Sequence, residues 1–199
     1  MKRYVKTFEG FIYEAVISEI TEGEEVIFFP GRFQPFHNGH MAAMERASKE
    51  FGLPVIPLQI LSAREESPFP DTLLEAMGKA IADSTGFLAN YFIYPTGTKT
   101  VIPLMVKYLR EQGYEPLGLA CGSDRLTDYT RQVAYINSPK TDVVVKAGFE
   151  VKMVDARDSD GASGTKVRDA LKEGDKKTFE LMMPKVLWPY YDELKKYIA

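Results

Sequence analysis

The sequence has very little cysteine and histidine: one cysteine, Cys121, and two histidines stand among 199 residues. A single cysteine excludes an internal disulfide framework and a zinc site built from cysteines, and it is typical of a reducing compartment. We expect Cys121 to be a small buried residue rather than a nucleophile, because no basic side chain is evidently paired with it.

Long apolar runs and an excess of positive charge are also missing. No apolar run approaches the roughly 18 residues of a membrane helix, and the first residues lack the apolar region of a signal peptide. The 25 lysines and arginines are outnumbered by 28 acidic residues, giving a formal net charge of −3, which argues against binding of duplex nucleic acid through a basic face. We therefore expect a cytoplasmic protein with neither a membrane nor a nucleic-acid partner.

The order of apolar segments predicts an α/β fold. Short strand-like runs alternate with helix-periodic segments, a pattern typical of a mostly parallel sheet with helices on both faces. The predicted strands are residues 26–29, 55–61, 87–94, 117–121, 143–145 and 149–154. The predicted helices are residues 2–20, 38–51, 71–82, 98–112, 165–172, 176–182 and 186–198. We expect residues 1–25 to form a helical extension with a Glu-rich linker, and residues 26–199 to form the main domain.

Three residues give local expectations within these elements. Pro57 interrupts the second strand and predicts an edge position or a bulge, because proline has no N–H for the ladder. Asp71 is a plausible N-cap for the helix that follows it. Gly113 is expected to end the helix at residues 98–112, since glycine is favoured just beyond a helix C-terminus.

The stretch from Gly31 to His40 reads Gly-Arg-Phe-Gln-Pro-Phe-His-Asn-Gly-His and joins the first strand to the first helix. Open α/β sheets bind ligands in the crevice at such junctions. Gly31 lets backbone N–H groups approach an anion, and the helix that begins near Asn38 directs its positive end toward it. Two histidines could instead bind a metal, but no other histidine or cysteine cluster supplies further ligands. The stretch therefore predicts a phosphate site.

A second cluster, residues 162–168, opens a later predicted helix with the sequence Ala-Ser-Gly-Thr-Lys-Val-Arg. Ser163 and Thr165 are natural N-cap and anion-binding hydroxyls, and Lys166 and Arg168 bring positive charge to the same helix end. Taken alone, the cluster is more typical of a capped helix with a solvated basic face.

Together the two clusters resemble the nucleotidylyltransferase superfamily. The first resembles its His-x-Gly-His element, and the chain is most similar to nicotinamide-mononucleotide adenylyltransferases of the archaeal type and related phage-borne nucleotidylyltransferases. The second resembles the phosphate motif Ile-Ser-Ser-Thr-x-Ile-Arg, with Ala162 and Gly164 replacing the isoleucine and the second serine. The resemblance covers about residues 26–171 and implies a Rossmann-like sheet that binds a nucleoside triphosphate.

The resemblance implies a role for each matching residue. An acceptor phosphate would attack the α-phosphorus of the triphosphate, and pyrophosphate would leave with Mg²⁺ bound to the nucleotide rather than to protein ligands. The implied catalytic residues are His37, His40, Lys166 and Arg168. The implied nucleotide-binding residues are Gly31, Arg32, Phe33, Gln34, Asn38, Gly39, Ser163, Gly164 and Thr165.

The acceptor site has weaker signals. Residues 62–69 resemble the archaeal Ser-Ala loop that ends in Asn-Pro-Phe, which implies acceptor contacts from Ser62 and Arg64. The family continues with Thr-Ala-Gly-Glu-Arg, whereas this chain continues Pro-Asp-Thr-Leu-Leu and lacks that Glu and Arg. Gly122 and Asp124, in the turn after the fourth strand, are further acceptor-binding candidates.

Three functions remain open at this point. The first is transfer of AMP from ATP to a phosphorylated acceptor such as nicotinamide mononucleotide. The second keeps the chemistry but uses CTP and a phosphorylated alcohol or sugar. The third is a nucleotide-binding module without turnover. The sequence leaves the oligomeric state open, including a homo-oligomer.

Overall fold

The computed structural model describes residues 23–61, 68–95, 101–138, 149–153 and 161–198. The predicted helix at residues 2–20 and the predicted strand at residues 143–145 lie outside them. Among the described helices, none combines the length and apolar character needed to cross a membrane.

The described elements alternate between strands and helices. The strands are β1 (Glu24–Gly31), β2 (Val55–Ile60), β3 (Phe92–Tyr94), β4 (Tyr114–Cys121) and β5 (Glu150–Met153). The helices are α1 (Asn38–Phe51), α2 (Asp71–Ser84), α3 (Ile102–Glu111), α4 (Leu126–Ile136), α5 (Gly164–Glu173), α6 (Lys176–Met182), a 3₁₀ helix (Lys185–Tyr190) and α7 (Tyr191–Lys195).

The five strands form one parallel sheet in the order β3-β2-β1-β4-β5. The chain builds outward from β1 through β2 to β3, then crosses to the other side of β1 for β4 and β5. Such a reversal leaves a crevice beyond the carboxyl ends of the two central strands, where ligands bind in open α/β sheets. The fold thus confirms the predicted parallel α/β architecture.

Side chains of β1 alternate between two hydrophobic cores. Ile27 and Phe29 pack on one face with Met44 of α1 and Leu171 of α5. Val26 and Phe28 pack on the other face with residues of α3 and α4. Burial on both faces explains why β1 is a continuous apolar run, as expected of a central parallel strand.

Of the two positions predicted for Pro57, the edge is wrong, because β2 lies between β1 and β3, and a local irregularity in strand pairing is present instead. The N–H of Val55 donates to Phe87, on the β3 side, so the nitrogen two residues later faces the same side. Pairing there is interrupted between the bridge of Val55 with Leu88 and the pair of Leu58 with Phe92. The proline therefore lies where no neighbouring carbonyl needs its missing donor.

Several predicted boundaries also change. The strand β1 begins at Glu24, inside the expected linker, and β3 covers only three residues of the predicted 87–94. Asp71 is the first residue of α2 rather than its N-cap, a position taken by Pro70. The predicted final helix divides into the 3₁₀ helix and α7, with Pro189 in the former.

Helix α4 was not predicted from the sequence. Its buried face consists of Tyr129, Gln132, Val133 and Ile136, a helical spacing in which a polar residue interrupts the apolar pattern. The side chain of Gln132 is buried because its Oε1 accepts a hydrogen bond from the N–H of Ile102 at 2.9 Å, at the start of α3. Gln132 thus interrupts the apolar pattern of α4 because its side chain binds the first residue of α3.

Cys121 is buried at the end of β4, as expected. Burial, together with the negative charge of Asp124, raises the pKa of its thiol to about 11. A thiol with this pKa is protonated near neutral pH and is a poor nucleophile.

A buried ion pair joins the end of α3 to β4. Arg110 donates from Nε to Glu115 Oε2 at 2.9 Å and from Nη2 to Oε1 at 2.6 Å, and both side chains are at most 1% exposed. Because removal of one partner leaves a buried charge uncompensated, such pairs are costly to break singly.

We expect Arg110→Met to lower the free energy of unfolding by about 3–5 kcal/mol, because Glu115 is left buried without its cation. The double variant Arg110→Met/Glu115→Leu should recover most of this loss. Urea unfolding followed by circular dichroism measures both. Lys49→Met, which breaks an exposed pair with Glu45, is the control and should change little. A single variant as stable as the parent would contradict the account of the pair.

Candidate active site

One cleft brings the two sequence clusters together. It has a volume of about 620 Å³ and combines residues of the β1–α1 loop with residues of α5 and of the chain's C-terminal end. Its lining consists of Arg32, Phe33, Gln34, His37, His40, Pro68, Gly164, Thr165, Arg168, Lys172, Tyr197 and Ile198. The lining includes three cationic side chains and no carboxylate.

Aromatic packing fixes the β1–α1 loop. Phe33 is buried and stacks on Phe36, with ring centroids 4.6 Å apart, and it meets the ring of His40 edge-on at 5.0 Å. Its φ of +43° lies in the left-handed region, which is costly for a bulky residue and is sustained here by the packing around it. A Cβ at Gly31 would lie 2.7 Å from the Phe33 ring, so only glycine lets the ring fold back over β1.

The two histidines flank the beginning of α1. Their rings stack with centroids 3.7 Å apart at an interplanar angle of 27°. The backbone N–H of His37 donates to Nδ1 of His40 at 3.3 Å. Since the neutral imidazole has one acceptor and one donor nitrogen, this contact leaves the proton of His40 on Nε2.

Burial keeps both imidazoles uncharged. It lowers the pKa of His37 from 6.5 to about 4. The pKa of His40 is also well below 6.5, chiefly because of burial and additionally because of the charge of His37. Both rings are therefore neutral at pH 7 in the free protein, and a bound anion would favour their charged forms.

The second cluster forms the beginning of α5. Ser163 is its N-cap, because its Oγ accepts a hydrogen bond from the N–H of Lys166 at 3.2 Å. A Cβ at Gly164 would lie 2.8 Å from the carbonyl oxygen of Gln34. Glycine at this position therefore lets α5 begin directly against the β1–α1 loop.

Arg168 connects the two clusters. Its Nη1 donates to the carbonyl oxygen of Gln34 at 2.5 Å, and its Nη2 donates to Thr165 Oγ1 at 3.3 Å. A guanidinium has five N–H donors, so these bonds fix its orientation and leave donors for a ligand. Arg168 thus forms one side of the cleft and joins two segments that are 134 residues apart in the sequence.

Gln34 has unused hydrogen-bonding capacity at the same place. Its side-chain Nε2 and Oε1 are both buried and have no partner among the described residues. Buried polar groups are normally hydrogen-bonded, so a side-chain amide in a cleft wall is suited to a polar ligand.

Other predicted nucleotide-binding and catalytic residues lie outside the lining. Asn38 donates from Nδ2 to the carbonyl oxygen of Leu181 at 3.0 Å and thereby joins α1 to α6. Gly39 is buried in the first turn of α1. Lys166 is exposed, and its Nζ lies 2.9 Å from the position of a Cβ on Gly161. The predicted roles of Asn38 and Lys166 therefore receive no support from the shape of the cleft.

The predicted acceptor residues are also separate from the cleft. Gly122 accepts a hydrogen bond from the N–H of Arg125 at 3.1 Å, and Asp124 forms an exposed ion pair with Arg125 at 3.4 Å. Gly122 follows β4 at the same edge of the sheet as Gly31, yet neither Gly122 nor Asp124 lines the cleft. Ser62 and Arg64 lie outside the described residues.

Four lining residues were not predicted: Pro68, Lys172, Tyr197 and Ile198. Lys172 stands four residues after Arg168, so the helical repeat itself could have identified it. Tyr197 and Ile198 have no such local signal. They reach the cleft because the C-terminal segment (residues 176–198) packs on α5 within one core, where Ile198 is 7% exposed.

Known proteins resemble this chain in both sequence and fold. A family model for cytidylyltransferase-like proteins matches residues 28–170. A nicotinamide-nucleotide adenylyltransferase of Picrophilus torridus is 27% identical over 151 residues, covering 74% of this chain and 80% of the relative. A nicotinamide-nucleotide adenylyltransferase of Haloarcula marismortui is 30% identical over 148 residues, covering 72% of this chain and 69% of the relative.

A solved structure shows the same fold at lower sequence identity. Plasmodium falciparum nicotinic acid mononucleotide adenylyltransferase, complexed with NaAD, superposes with a TM-score of 0.58 at 13% identity. The match covers 87% of this chain and 98% of that chain, and it supports the fold alone. The family match, by contrast, begins at residue 28 within β1, includes the histidine pair and Arg168, and spans most of the sequence. The chain therefore belongs to the cytidylyltransferase-like family of nucleotidyltransferases.

Proposed function

We propose that this protein transfers AMP from ATP to the phosphate of a nucleotide acceptor, with nicotinamide mononucleotide as the favoured acceptor, and releases pyrophosphate. The observation that supports it most strongly is the bond between Arg168 and Gln34, which joins the histidine loop and the α5 motif around one cleft. The names of the two archaeal relatives favour ATP and a nicotinamide nucleotide.

The proposed chemistry is one in-line displacement. An oxygen of the acceptor phosphate forms a bond to the α-phosphorus of ATP, and the bond from that phosphorus to the bridging oxygen breaks. The electron pair leaves with pyrophosphate, so no covalent enzyme intermediate is needed. Positioning and stabilisation of charge then supply the rate, as in other phosphoryl transfers.

Five lining residues have a proposed part in this step. The Nε2–H of His40 and the ring of His37 donate to the oxygens of the transferred and leaving phosphates. Arg168 contributes fixed positive charge, and Arg32 and the amide of Gln34 add polar contacts to the phosphate chain. Donors held in place before the reaction stabilise developing charge without reorganisation.

Magnesium fits this site as part of the substrate. No group of three His, Cys, Asp or Glu residues within the described part of the chain could hold a metal ion, and the cleft lining has no carboxylate. We propose that the ion enters with ATP, held by phosphate oxygens and water, and neutralises charge on the leaving pyrophosphate. The protein residues would then contact the phosphate oxygens that the ion leaves free.

The proposed domain contains the whole described sheet and the C-terminal segment. It starts at Glu24, where β1 begins, rather than at the predicted residue 26. The residues before β1 remain a proposed helical extension outside this domain.

Pyrophosphate release with separate nucleotides tests the function. With Mg²⁺ and nicotinamide mononucleotide, we expect release from ATP and much slower release from CTP. Preference for CTP with a phosphorylated alcohol or sugar would identify a cytidylyltransferase instead. Saturable nucleotide binding with no release of pyrophosphate against a broad acceptor panel would contradict enzymatic function.

The variant His40→Ala tests the proposed mechanism, because removing one hydrogen-bond donor to the reacting phosphates typically lowers kcat by about 10²–10³-fold. Circular dichroism should show an intact fold, Lys185→Met at an exposed position outside the cleft should retain activity, and full activity of His40→Ala would contradict the assigned role.

Nucleotide binding should raise the pKa of both histidines. In the free protein His37 is expected to titrate near pH 4, and the phosphates of a bound non-hydrolysable ATP analogue should shift both midpoints upward. Because the bound state then takes up protons, affinity should increase as pH falls from the bound pKa toward the free pKa. NMR titration of the imidazole resonances with and without the analogue measures both effects. Midpoints that stay unchanged or move downward would exclude contact between phosphate and imidazole.

A further inference from the structure

Lys172 is a cationic residue of the cleft that the sequence clusters do not include. It lies on α5 at the cleft wall, four residues after Arg168. Its neighbours in the lining include Tyr197 and Ile198 from the C-terminal segment. Lys172 thus lines the cleft together with the charged Arg168 and the largely apolar Tyr197 and Ile198.

The spacing places Arg168 and Lys172 on the same face of α5. Four residues correspond to a rise of about 6 Å along a helix. Side chains in a helix lean toward its N-terminus, which directs the ammonium of Lys172 back toward the turn of Arg168. The two cations can therefore contact successive groups of one extended anion.

The charge balance also points to an anion. Like charges four residues apart in a helix repel one another, and the cleft lining has no carboxylate to offset them. Among the described residues Lys172 has no ion-pair partner, although Asp169 and Glu173 lie on the same helix. A polyphosphate would supply the missing negative charge.

We propose that Lys172 binds the terminal phosphates of the donor nucleotide, the part that leaves as pyrophosphate. This inference rests on the proposed function, in which His40 and Arg168 contact the same phosphate chain. Lys172 then acts as a specificity residue that distinguishes a nucleoside triphosphate from a monophosphate. Tyr197 and Ile198 line the same cleft and form the apolar side of this proposed phosphate site.

Two contacts hold the C-terminal segment in place beside Lys172. The hydrogen bond from Asn38 to Leu181 ties the segment to the helix that begins at the histidine pair. Ile198 belongs to the same core as Leu171, the residue before Lys172. The segment therefore holds the wall beside Lys172 in a fixed relation to the histidines.

Equilibrium binding to the full-length protein tests the proposal without requiring turnover. Dissociation constants for a non-hydrolysable ATP analogue, inorganic pyrophosphate and AMP are measured by titration calorimetry for the parent, Lys172→Met and Lys172→Arg. We expect Lys172→Met to raise the dissociation constants of the analogue and of pyrophosphate by about 10- to 100-fold, as for loss of a hydrogen bond to a charged group. AMP binding should change less than about twofold, and Lys172→Arg should restore most of the affinity.

Lys185→Met removes an exposed lysine of the C-terminal segment outside the cleft and provides the matched control. Equal affinity of the parent and Lys172→Met for pyrophosphate would overturn the proposal, as would an equal loss for AMP and the analogue. If Lys172→Met changes the circular dichroism spectrum, Lys172→Gln provides the same comparison. A parent protein that binds the analogue but releases no pyrophosphate with any acceptor would contradict the proposed function while leaving these constants interpretable.

Discussion

The hydrogen bond from the Arg168 guanidinium to the carbonyl of Gln34 is the contact on which the cleft depends. It requires that α5 begin directly against the β1–α1 loop, and this close approach is available because Gly164 has no Cβ. The loop, in turn, is held by the buried ring of Phe33. Gly164 and Phe33 thus allow the histidine loop and the start of α5, which lie far apart in the sequence, to form one site.

Burial gives the site its second property, which is neutrality of the histidines before substrate arrives. The fixed positive charge belongs to the arginines and Lys172 at the cleft wall, whereas the stacked imidazoles sit deeper and have lowered pKa values. In the proposed mechanism, the phosphate chain contacts both the permanent charges and the two histidines, whose pKa values it raises. The proposal therefore links substrate binding to proton uptake by His37 and His40.

The sequence predicted the parts of the site that depend on local chemistry. Helix α1 has the predicted bounds, Asn38–Phe51, and Ser163 is the N-cap expected from its hydroxyl. The contacts of Asn38 could not be predicted, because its partner, Leu181, lies 143 residues away. Pro57 could not distinguish an edge from a bulge, because the gap in pairing that accommodates it is a property of the neighbouring segment. Tyr197 reaches the cleft only through packing of the C-terminal segment on α5, which no motif indicates.

The central claim is that the histidine loop and α5 bind one polyphosphate together, and a single NMR titration tests it most directly. A non-hydrolysable ATP analogue is added while the ring resonances of His40 and the Nε–H resonance of Arg168 are followed in the same sample. The account predicts that both sets of resonances shift with one common midpoint. Separate midpoints, or a response confined to one of the two residues, would contradict it.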